Sequence, residues 1–429
     1  MFVKYKRSIV VLCLMLLLSA CSAQSSTVGS VFGSPKETEY SALPSGNTVE
    51  LLASPTPTII EPMHTPPRRY PSSRPAVVIT ATPRLTYVPL PPSTPDPNAV
   101  DASPTPPWAT PYPSPTGEPT VKTEPTIELA TIENCSEYVY VRSGGSTSSD
   151  VIGTAALGTS YRVLSNGNDW TQILFNGNVG FVKSDYVSAR SVDCQQQSDL
   201  SYSLCSLNVH NMGNGSRVDE LAEVIQLQGV DVVCIQEVDL GTRRVEGANC
   251  TELLAKALGY PYWSFSAATG YEGGYFGTAI ISRYPIVDAA TFKLDVASGM
   301  ERRSLGYARI LLDGGTVNVF NTHLCPSSMC YKSINLASLQ YELKATGVEA
   351  YTVSGDFNCS PPRIDDYLPD IYYVNIDKST FGDGSVPKIL DNILYTDGII
   401  PSAFEIVDTR TTNITDHDMV YCLITVLKP

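Results

Sequence analysis

The stretch YTVSGDFNC, residues 351–359, combines an apolar, strand-like run with two polar side chains at its end. Asp356 and Asn358 are two residues apart, so both side chains can point to the same side of an extended backbone. A buried strand gains no stability from a carboxylate at its end, because an unpaired buried charge is costly. The stretch therefore predicts a strand whose end carries chemistry.

Other strand-like runs carry polar side chains at one end in the same way. They are LCSLNVHN with Asn208, DVVCIQEVD with Glu237, VNVFNTHL with His323, and NITDHDMVYCL, in which Asp416 and His417 precede the apolar run. Strand ends of this kind can meet at one edge of a sheet, where carboxylates, amides and imidazoles suit a divalent metal ion and a phosphate. Asp391 precedes one more run, ILDNILYT, and could orient His323 or the phosphate.

Amphipathic helical patterns alternate with these runs. Ser216 precedes the pattern SRVDELAEVIQLQ and is expected to cap a helix there. Asn249 and Glu252 form a capping box for NCTELLAKAL, which should stop at Gly259. A third helix is expected in INLASLQYELKAT. Residues 200–429 therefore predict an α/β domain with two stacked sheets flanked by helices.

The chemistry of these side chains suggests their roles. Glu237 is the best metal-ligand candidate, because Mg²⁺ prefers carboxylate and amide oxygens, and Asn208 could complete the set or hold a phosphate oxygen. Asp356 could orient or deprotonate a water, and Asn358 could hold a phosphate oxygen. Each signal is weak alone, since acidic strand ends and structural histidines are common.

Taken in this order, the whole set resembles the endonuclease/exonuclease/phosphatase superfamily, in its deoxyribonuclease-like, small bacterial branch. The matching motifs are Asn208, Gln236-Glu237, His323, Gly355-Asp356-Phe357-Asn358, Asp391 and Asp416-His417. The resemblance covers essentially all of residues 200–429. It implies a four-layer α/β sandwich that hydrolyses a phosphate ester with a divalent metal, Mg²⁺ or Mn²⁺.

The resemblance also assigns roles to individual residues. Catalytic residues would be His323, Asp356, Asp391 and His417; substrate-binding residues would be Asn208, Arg303 and Asn358; and metal ligands would be Asn208, Glu237 and Asp416. The stretch Gly274-Tyr275-Phe276-Gly277-Thr278 departs from the family pattern, which commonly has an acidic residue and a Tyr before the Gly and an Asn after it. A partner of His323 is therefore expected to be lost or replaced.

Residues 131–195 contain short alternating runs separated by turn residues. Asn176-Gly177, between TQILF and VGFV, predicts a two-residue hairpin turn. Val141-Arg142-Ser143-Gly144, Trp170 and Gly180-Phe181-Val182 resemble the bacterial SH3-like domain. The resemblance implies a small all-β barrel that often binds cell-wall peptide, and a structural spacer is the alternative.

The N-terminal part resembles an anchor and a stalk. In residues 1–20 a basic start precedes an apolar stretch, and Leu18-Ser19-Ala20-Cys21 resembles the lipobox of bacterial lipoproteins. This implies a lipid on Cys21 that holds the protein on the extracytoplasmic side of the bacterial cell membrane; an ordinary secretory signal is the alternative. Residues 21–130 hold most of the 32 prolines, with Ser and Thr between them, and predict a disordered, semi-extended stalk.

Charge and cysteine content limit the remaining possibilities. A net charge of −14 disfavours tight, nonspecific nucleic-acid binding, although a bound divalent metal would reverse the charge locally. Cleavage of the signal and lipidation of Cys21 leave an odd number of cysteines in an oxidising location. Cys135 could pair with Cys194 and Cys325 with Cys330, but the sequence does not fix the pairing.

Two functions follow from this reading. The first is a surface-anchored, metal-dependent phosphoesterase that acts on nucleic acid, an inositol phosphate or a phospholipid headgroup. The alternative is a cell-wall-binding lipoprotein that has lost catalysis, which the departure at Tyr275, Phe276 and Thr278 keeps open.

Overall fold

The computed structural model of the chain describes residues 121, 124–326, 329–382 and 388–429. The predicted signal peptide, Cys21 and nearly all of the predicted stalk lie outside the described residues. Within the described ranges, no helix has both the length and the apolar character needed to cross a membrane.

Residues 126–193 form one seven-stranded antiparallel sheet. Its strands are β1 (Thr126–Ile132), β2 (Tyr138–Arg142), β3 (Val151–Ala156), β4 (Ser160–Asn166), β5 (Trp170–Phe175), β6 (Asn178–Lys183) and β7 (Val187–Asp193), in the order β3-β2-β6-β5-β4-β1-β7. The hairpin predicted at Asn176-Gly177 is confirmed, with φ of 50° and 75°, because such a turn needs positive φ at both central residues. The sheet begins at Thr126, inside the segment that the sequence assigned to the stalk.

Residues 200–426 form two six-stranded sheets and four helices. The strands are β8 (Leu200–Asn208), β9 (Val232–Leu240), β10 (Tyr262–Tyr271), β11 (Gly274–Ser282), β12 (Ile286–Leu294), β13 (Arg303–Leu312), β14 (Gly315–His323), β15 (Thr352–Asp356), β16 (Tyr372–Tyr373), β17 (Asp391–Tyr395), β18 (Ile399–Val407) and β19 (Met419–Val426). The helices are α1 (Val218–Leu227), α2 (Cys250–Leu258), α3 (Met329–Ala345) and α4 (Pro361–Asp365). The strand orders are β10-β11-β9-β8-β19-β18 and β12-β13-β14-β15-β17-β16.

Three buried layers of apolar side chains hold the sheets and helices together. The central layer lies between the sheets and contains Leu204, Val232, Ile280, Ile310, Val319 and Ile393. Helices α1 and α2 pack on the outer face of the first sheet through residues such as Leu221 and Leu254. Helices α3 and α4 cover the second sheet through residues such as Leu339 and Ile364. The order helix, sheet, sheet, helix confirms the predicted four-layer sandwich.

The ends of the first two helices differ in how well the sequence predicted them. The Asn249 side chain accepts a hydrogen bond from the backbone N–H of Glu252, and Gly259 ends α2 in the left-handed conformation with φ of 71°, as predicted. The cap predicted at Ser216 is wrong. Helix α1 begins two residues later, because the Ser216 hydroxyl donates instead to the carbonyl of Gly213 in the preceding turn.

Cys135 and Cys194, whose pairing the sequence left open, both carry free thiols. Cys135 follows the end of β1, whereas the antiparallel pairing of β1 with β7 places Cys194 beside the start of β1. A seven-residue strand spans roughly 20 Å, well beyond the reach of a disulfide. Cys325 also carries a free thiol, and the side chain of Cys330 lies outside the described residues.

Strand pairing brings the predicted site residues to one edge of the two sheets. Strands β8 and β9 are parallel, with Asn208 opposite Gln236. Strands β14 and β15 are also parallel, with His323 opposite Asp356, and the antiparallel β17 places Asp391 beside Asp356. The C-terminal ends of β8, β14 and β15, the interior of β9 and the start of β17 therefore carry the predicted site residues. Glu237 was predicted at the end of its strand, but β9 continues to Leu240.

Candidate functional site

Asn208 lies at the centre of this edge and is fully buried. Its amide nitrogen donates to Glu237 Oε1 at 2.9 Å and to Asp356 Oδ2 at 3.1 Å. Its amide oxygen accepts from the backbone N–H of His210 at 3.0 Å. Asn208 therefore links a carboxylate of the first sheet to a carboxylate of the second.

Glu237 occupies a β-bulge in β9. Gly277 pairs with Val238 and Thr278 pairs with Gln236, so no residue of β11 lies opposite Glu237. The backbone of Glu237 has φ of 60°, which is unfavourable for a residue with a side chain. A bulge redirects one side chain relative to its strand. Here it turns the half-buried Glu237 side chain to Asn208.

His417 and Asp391 form a buried hydrogen-bonded pair. His417 Nδ1 lies 2.7 Å from Asp391 Oδ2, and Nε2 faces Asp356 Oδ2 at 3.8 Å. Burial alone would lower the pKa of His417, but the Asp391 carboxylate raises it to about 9. The imidazole is therefore held protonated at neutral pH, with Nε2–H directed to the centre of the site.

Asp356 is buried among donors. It accepts from Asn208, from the backbone N–H of Asn358 at 2.8 Å, and it lies 3.5 Å from His323 Nε2. Burial raises the pKa of this carboxyl group to about 7, and the nearby Asp391 adds to the rise. A carboxyl group with this pKa can take up a proton near neutral pH.

His323, Arg303 and Asn358 lie next to one another on the second sheet. His323 Nδ1 lies 3.4 Å from Arg303 Nη1, and His323 Nε2 lies 3.1 Å from Asn358 Nδ2. Burial lowers the pKa of His323 well below its usual value, and the Arg303 guanidinium lowers it further. The predicted loss of an acidic partner is consistent with this arrangement, because an arginine occupies the position beside Nδ1.

The predicted metal ligand Asp416 directly precedes the buried His417 and lines a groove together with Thr415. Its side chain is exposed, and Oδ1 lies 3.2 Å from Nδ1 of the exposed His210. No hydrogen bond connects Asp416 to Glu237 or Asn208 among the residues that the structure describes. Thr415 Oγ1 donates to the carbonyl of Asn208 at 2.8 Å and lies 3.4 Å from Asp416 Oδ1, so Asp416 stays a predicted metal ligand next to Asn208.

Asp356, Asp391 and His417 present three buried ligand-type atoms within 4.8 Å of one another. Asp391 and His417 already satisfy each other by a short hydrogen bond, which favours an acid–base role over cation binding for these two. The half-buried carboxylate of Glu237, which accepts a hydrogen bond from Asn208 Nδ2, better fits a hard cation.

The sequence did not reveal several supporting residues. The Phe381 ring packs against the His417 ring, with centroids 4.7 Å apart, and Thr380 Oγ1 accepts from the backbone N–H of Asp391. The buried Asn321 amide nitrogen donates to the carbonyls of Ile235 and Ala279 and so joins the two sheets below the site. Asn321 lies two residues before His323 on the same strand, a period that could have indicated it. Phe381 lies in a loop without any such period.

A groove of about 500 Å³ is lined by Thr415 and Asp416, which precede His417, and by Phe381, which packs on the His417 ring. The turn at His210–Gly213 forms one side and Phe381 and Gly382 form the other. Arg217 and Arg410 also line it. The groove can receive the part of a substrate that continues beyond the reacting group.

Two family models match the chain. One describes the endonuclease/exonuclease/phosphatase family and matches residues 205–417. The other describes the bacterial SH3 domain and matches residues 137–188. The first match begins in β8 and ends at His417, so it contains all of the residues brought together at the sheet edge.

Known proteins and structures show the same likeness. The uncharacterized protein YbhP of Escherichia coli is 26% identical over 178 residues, which cover 38% of this chain and 69% of the relative. A mannosyl-6-phosphatase from Bacteroides thetaiotaomicron is 15% identical with a TM-score of 0.43, covering 52% of this chain and 99% of that one. An endonuclease/exonuclease/phosphatase from Beutenbergia cavernae is 18% identical with a TM-score of 0.43, covering 53% of this chain and 72% of that one.

Proposed function

Because residues 205–417 of this chain belong to the endonuclease/exonuclease/phosphatase family, we propose that the protein is a divalent-cation-dependent phosphoesterase held at the outer face of a bacterial membrane. One observation carries the enzymatic part. A buried carboxyl group with a raised pKa, Asp356, lies between a carboxylate-supported imidazolium, His417, and an amide–carboxylate pair, Asn208 and Glu237. Structural cores have no need for such a set.

The cation would be held by the carboxylate of Glu237, which the Asn208 amide nitrogen positions by a hydrogen bond, while Asn208 Oδ1 accepts from the backbone N–H of His210. Glu237 is half-buried, and the bulge directs it to the same amide that contacts Asp356. Carboxylate and amide oxygens are the donors that Mg²⁺ and Mn²⁺ accept. When bound, the cation would offset negative charge on the phosphoryl group.

Asp356 and His417 supply the proton transfers of hydrolysis. As the water oxygen forms a bond to phosphorus, its proton moves to Asp356 Oδ2. As the bond from phosphorus to the leaving oxygen breaks, that oxygen takes the proton from His417 Nε2. Asp391 stabilises the imidazolium before the transfer. Asp356 then releases its proton to solvent and His417 takes up a proton from solvent, which restores both groups.

The side chains around these two groups position the phosphoryl group. Asn358 and His323 place an amide and an imidazole beside Asp356, within reach of phosphoryl oxygens. The groove lined by Phe381, Thr415 and Asp416 would receive the part of the substrate beyond the phosphoryl group. The substrates we consider are nucleic acid, an inositol phosphate and a phospholipid headgroup.

The rest of the chain would supply the location. The lipobox-like sequence at Cys21 supports a lipid anchor, and the proline-rich residues 21–130 support a stalk. The SH3-like domain supports binding of cell-wall peptide. Labelling with a radioactive fatty acid tests the anchor, since a Cys21→Ser variant should lose the label and remain in the soluble fraction.

Hydrolysis of bis(4-nitrophenyl) phosphate by the full chain tests the enzymatic proposal. We expect turnover with Mg²⁺ or Mn²⁺ and loss of turnover in EDTA. His417→Ala should lower kcat at least about 100-fold, because general acid catalysis contributes roughly 10²–10⁴-fold. Glu237→Gln should raise the Mg²⁺ concentration that turnover requires. Glu252→Gln, on the outer helix α2, should change neither kcat nor this concentration.

Unchanged turnover in His417→Ala would contradict the assignment. The alternative is a cell-wall-binding protein that has lost catalysis. In that case the wild-type chain would show no turnover, and calorimetry would detect no Mg²⁺ binding that Glu237→Gln abolishes. Incubation with plasmid DNA, inositol phosphates and phospholipid vesicles in parallel then separates a nuclease from a phosphatase or a phospholipase.

A further inference from the structure

The two histidines of the site have opposite partners on Nδ1. His417 Nδ1 faces a carboxylate, Asp391, at 2.7 Å. His323 Nδ1 faces a guanidinium, Arg303, at 3.4 Å. A carboxylate accepts hydrogen bonds, whereas a guanidinium carries only donors and is not deprotonated in proteins. The two imidazoles therefore cannot share the same proton arrangement.

The Arg303 contact determines where the His323 proton lies. Because a guanidinium can only donate, the 3.4 Å contact with Arg303 Nη1 favours Nδ1 as the acceptor nitrogen of the ring. The proton of the neutral ring is then on Nε2, which lies 3.5 Å from Asp356 Oδ2. The neighbouring Asn358 Nδ2 has two N–H groups; it donates one to the carbonyl of Leu324 at 3.0 Å and lies 3.1 Å from Nε2. Nε2 also has the Asp356 carboxylate as an acceptor, whereas Nδ1 faces the cationic Arg303, so the proton is better placed on Nε2.

Arg303 is buried in this position. Its side chain is only 5% exposed, and Nη1 also lies 3.5 Å from Glu301 Oε1. Its Nε has no hydrogen-bond partner among the described residues, so the contacts to Glu301 and His323 account for its polar interactions there. Phe276, Gly277 and Thr278 line the same crevice and bring no carboxylate to His323.

We propose that Arg303 is a positioning residue that fixes His323 as a neutral ring with its proton on Nε2. His323 then donates a hydrogen bond to a phosphoryl oxygen and transfers no proton, and His417 alone protonates the leaving oxygen. The burial of His323, which disfavours an imidazolium, acts in the same direction. This inference rests on the proposed function for its catalytic consequence and on the geometry alone for the tautomer.

The tautomer can be measured without a substrate. The chain has only 4 histidines, so ¹⁵N-histidine labelling and His323→Gln identify the ring signals of His323. At pH 7 in EDTA we expect a bonded proton on Nε2 and a bare Nδ1 in the two-bond ¹H–¹⁵N spectrum. Arg303→Met, which keeps the apolar stem, should shift the ring toward a mixture of tautomers, and Arg303→Lys should restore part of the wild-type pattern.

Kinetics separate positioning from direct substrate binding by Arg303. With bis(4-nitrophenyl) phosphate and saturating Mg²⁺, Arg303→Met should lower kcat roughly 10- to 100-fold with KM within about twofold, as is typical when an orienting partner is lost. If Arg303 bound the substrate, KM would rise instead. Arg302→Met, at the exposed neighbouring position, should leave both constants unchanged.

Each outcome decides one of the two proposals. A proton on Nδ1 in the wild-type chain, or an Arg303→Met effect on KM alone, would overturn the role of Arg303 even if the enzyme is active. A wild-type chain with the Nε2 proton but no hydrolysis would uphold the tautomer and contradict the proposed function. Circular dichroism verifies that Arg303→Met is folded, and the wild-type spectrum decides the tautomer even if it is not.

Discussion

The two imidazoles of the site lie close to the same carboxylate but have different electrostatic surroundings. His417 and His323 both approach Asp356 Oδ2, at 3.8 Å and 3.5 Å. The Asp391 carboxylate favours the charged form of His417, and burial beside Arg303 favours the neutral form of His323. The site therefore holds one proton donor and one fixed hydrogen-bond donor without any difference in residue type.

The His417–Asp391 pair makes the stability of the metal-free chain depend on pH. The folded-state pKa of His417, about 9, is above its unfolded value of 6.5, so its stabilisation is present below pH 6.5 and disappears as pH rises through 9. Between pH 7 and 9.5 the unfolding free energy should fall by about 2 kcal/mol from this group. Urea denaturation in EDTA measures the change.

Asp391→Asn is the comparison for that measurement. Without the carboxylate, burial lowers the pKa of His417, and its contribution between pH 7 and 9.5 should vanish. Asp356 has a folded pKa of about 7, so most of its effect falls below this window. Buried thiols such as Cys234, whose pKa burial raises, also reduce stability in alkali, but equally in both chains. Parallel pH curves for the two chains would contradict the expectation.

At the scale of the strand pair, one glycine permits the bulge that presents Glu237. A Cβ atom on Gly277 would lie 2.1 Å from the carbonyl oxygen of Ser266 on β10. Gly277→Ala should therefore displace β11 at its pairing with Val238, directly beside the bulge. We expect a loss of about 1–3 kcal/mol in the free energy of unfolding, the usual cost of overpacking, together with weaker Mg²⁺ binding at Glu237.

Gly270→Ala serves as the matched control for Gly277→Ala. Gly270 lies in the adjacent strand β10, and the nearest atom to an added Cβ there is 3.9 Å away, which is ordinary contact. This variant should keep both stability and Mg²⁺ affinity, measured by urea denaturation and calorimetry. Equal effects of the two substitutions would show that the bulge does not depend on the absence of a side chain at Gly277.

The sequence predicted strands and helices where a periodic apolar pattern or a capping motif marks them. The alternation in YTVSGDFNC and the capping box at Asn249 both predicted the observed elements. The bulge at Glu237 was not predictable, because it depends on the pairing partner across the sheet. The turn after Asn208 was missed for a similar reason: residues 210–215 all have positive φ, and this run draws the Ser216 hydroxyl away from the helix that it was expected to cap.

The site showed the same limit. The polar strand ends Asn208, His323 and Asp356 were found because each interrupts an apolar run. Phe381 was missed because it reaches His417 from a loop, and contacts between distant segments leave no period in the sequence.

At the scale of the whole chain, the SH3-like domain packs at the end of the sandwich opposite to the candidate site. Tyr262 begins β10 and Val287 lies near the start of β12, at the opposite ends of these strands from Tyr271 and Leu294. The Arg162 guanidinium, 7% exposed, donates to the carbonyl of Val287 at 3.1 Å. The sheet edge with the site is thus left open to substrate while the opposite end carries the second domain.

The contact between these two domains continues the hydrophobic core. Buried side chains of both domains, such as Val141 and Ile173 on one side and Leu204 and Ile310 on the other, belong to one cluster. The Tyr262 ring packs edge-on against Tyr161 with centroids 5.5 Å apart, and its hydroxyl oxygen accepts from the backbone N–H of Ser160 at 2.9 Å. A shared core of this kind should make the two domains unfold together.

Calorimetry of the wild-type chain and of Tyr262→Ala tests this coupling. The wild-type described domains should give a single transition, and Tyr262→Ala should destabilise it by about 3 kcal/mol, because a large buried ring leaves a cavity. The variant transition should also broaden or split, since the contact that links the domains is weakened. Tyr140→Ala, which removes an exposed ring from the same seven-stranded sheet, should change the unfolding free energy by less than about 0.5 kcal/mol. Two separate wild-type transitions that Tyr262→Ala leaves in place would show that the domains fold independently.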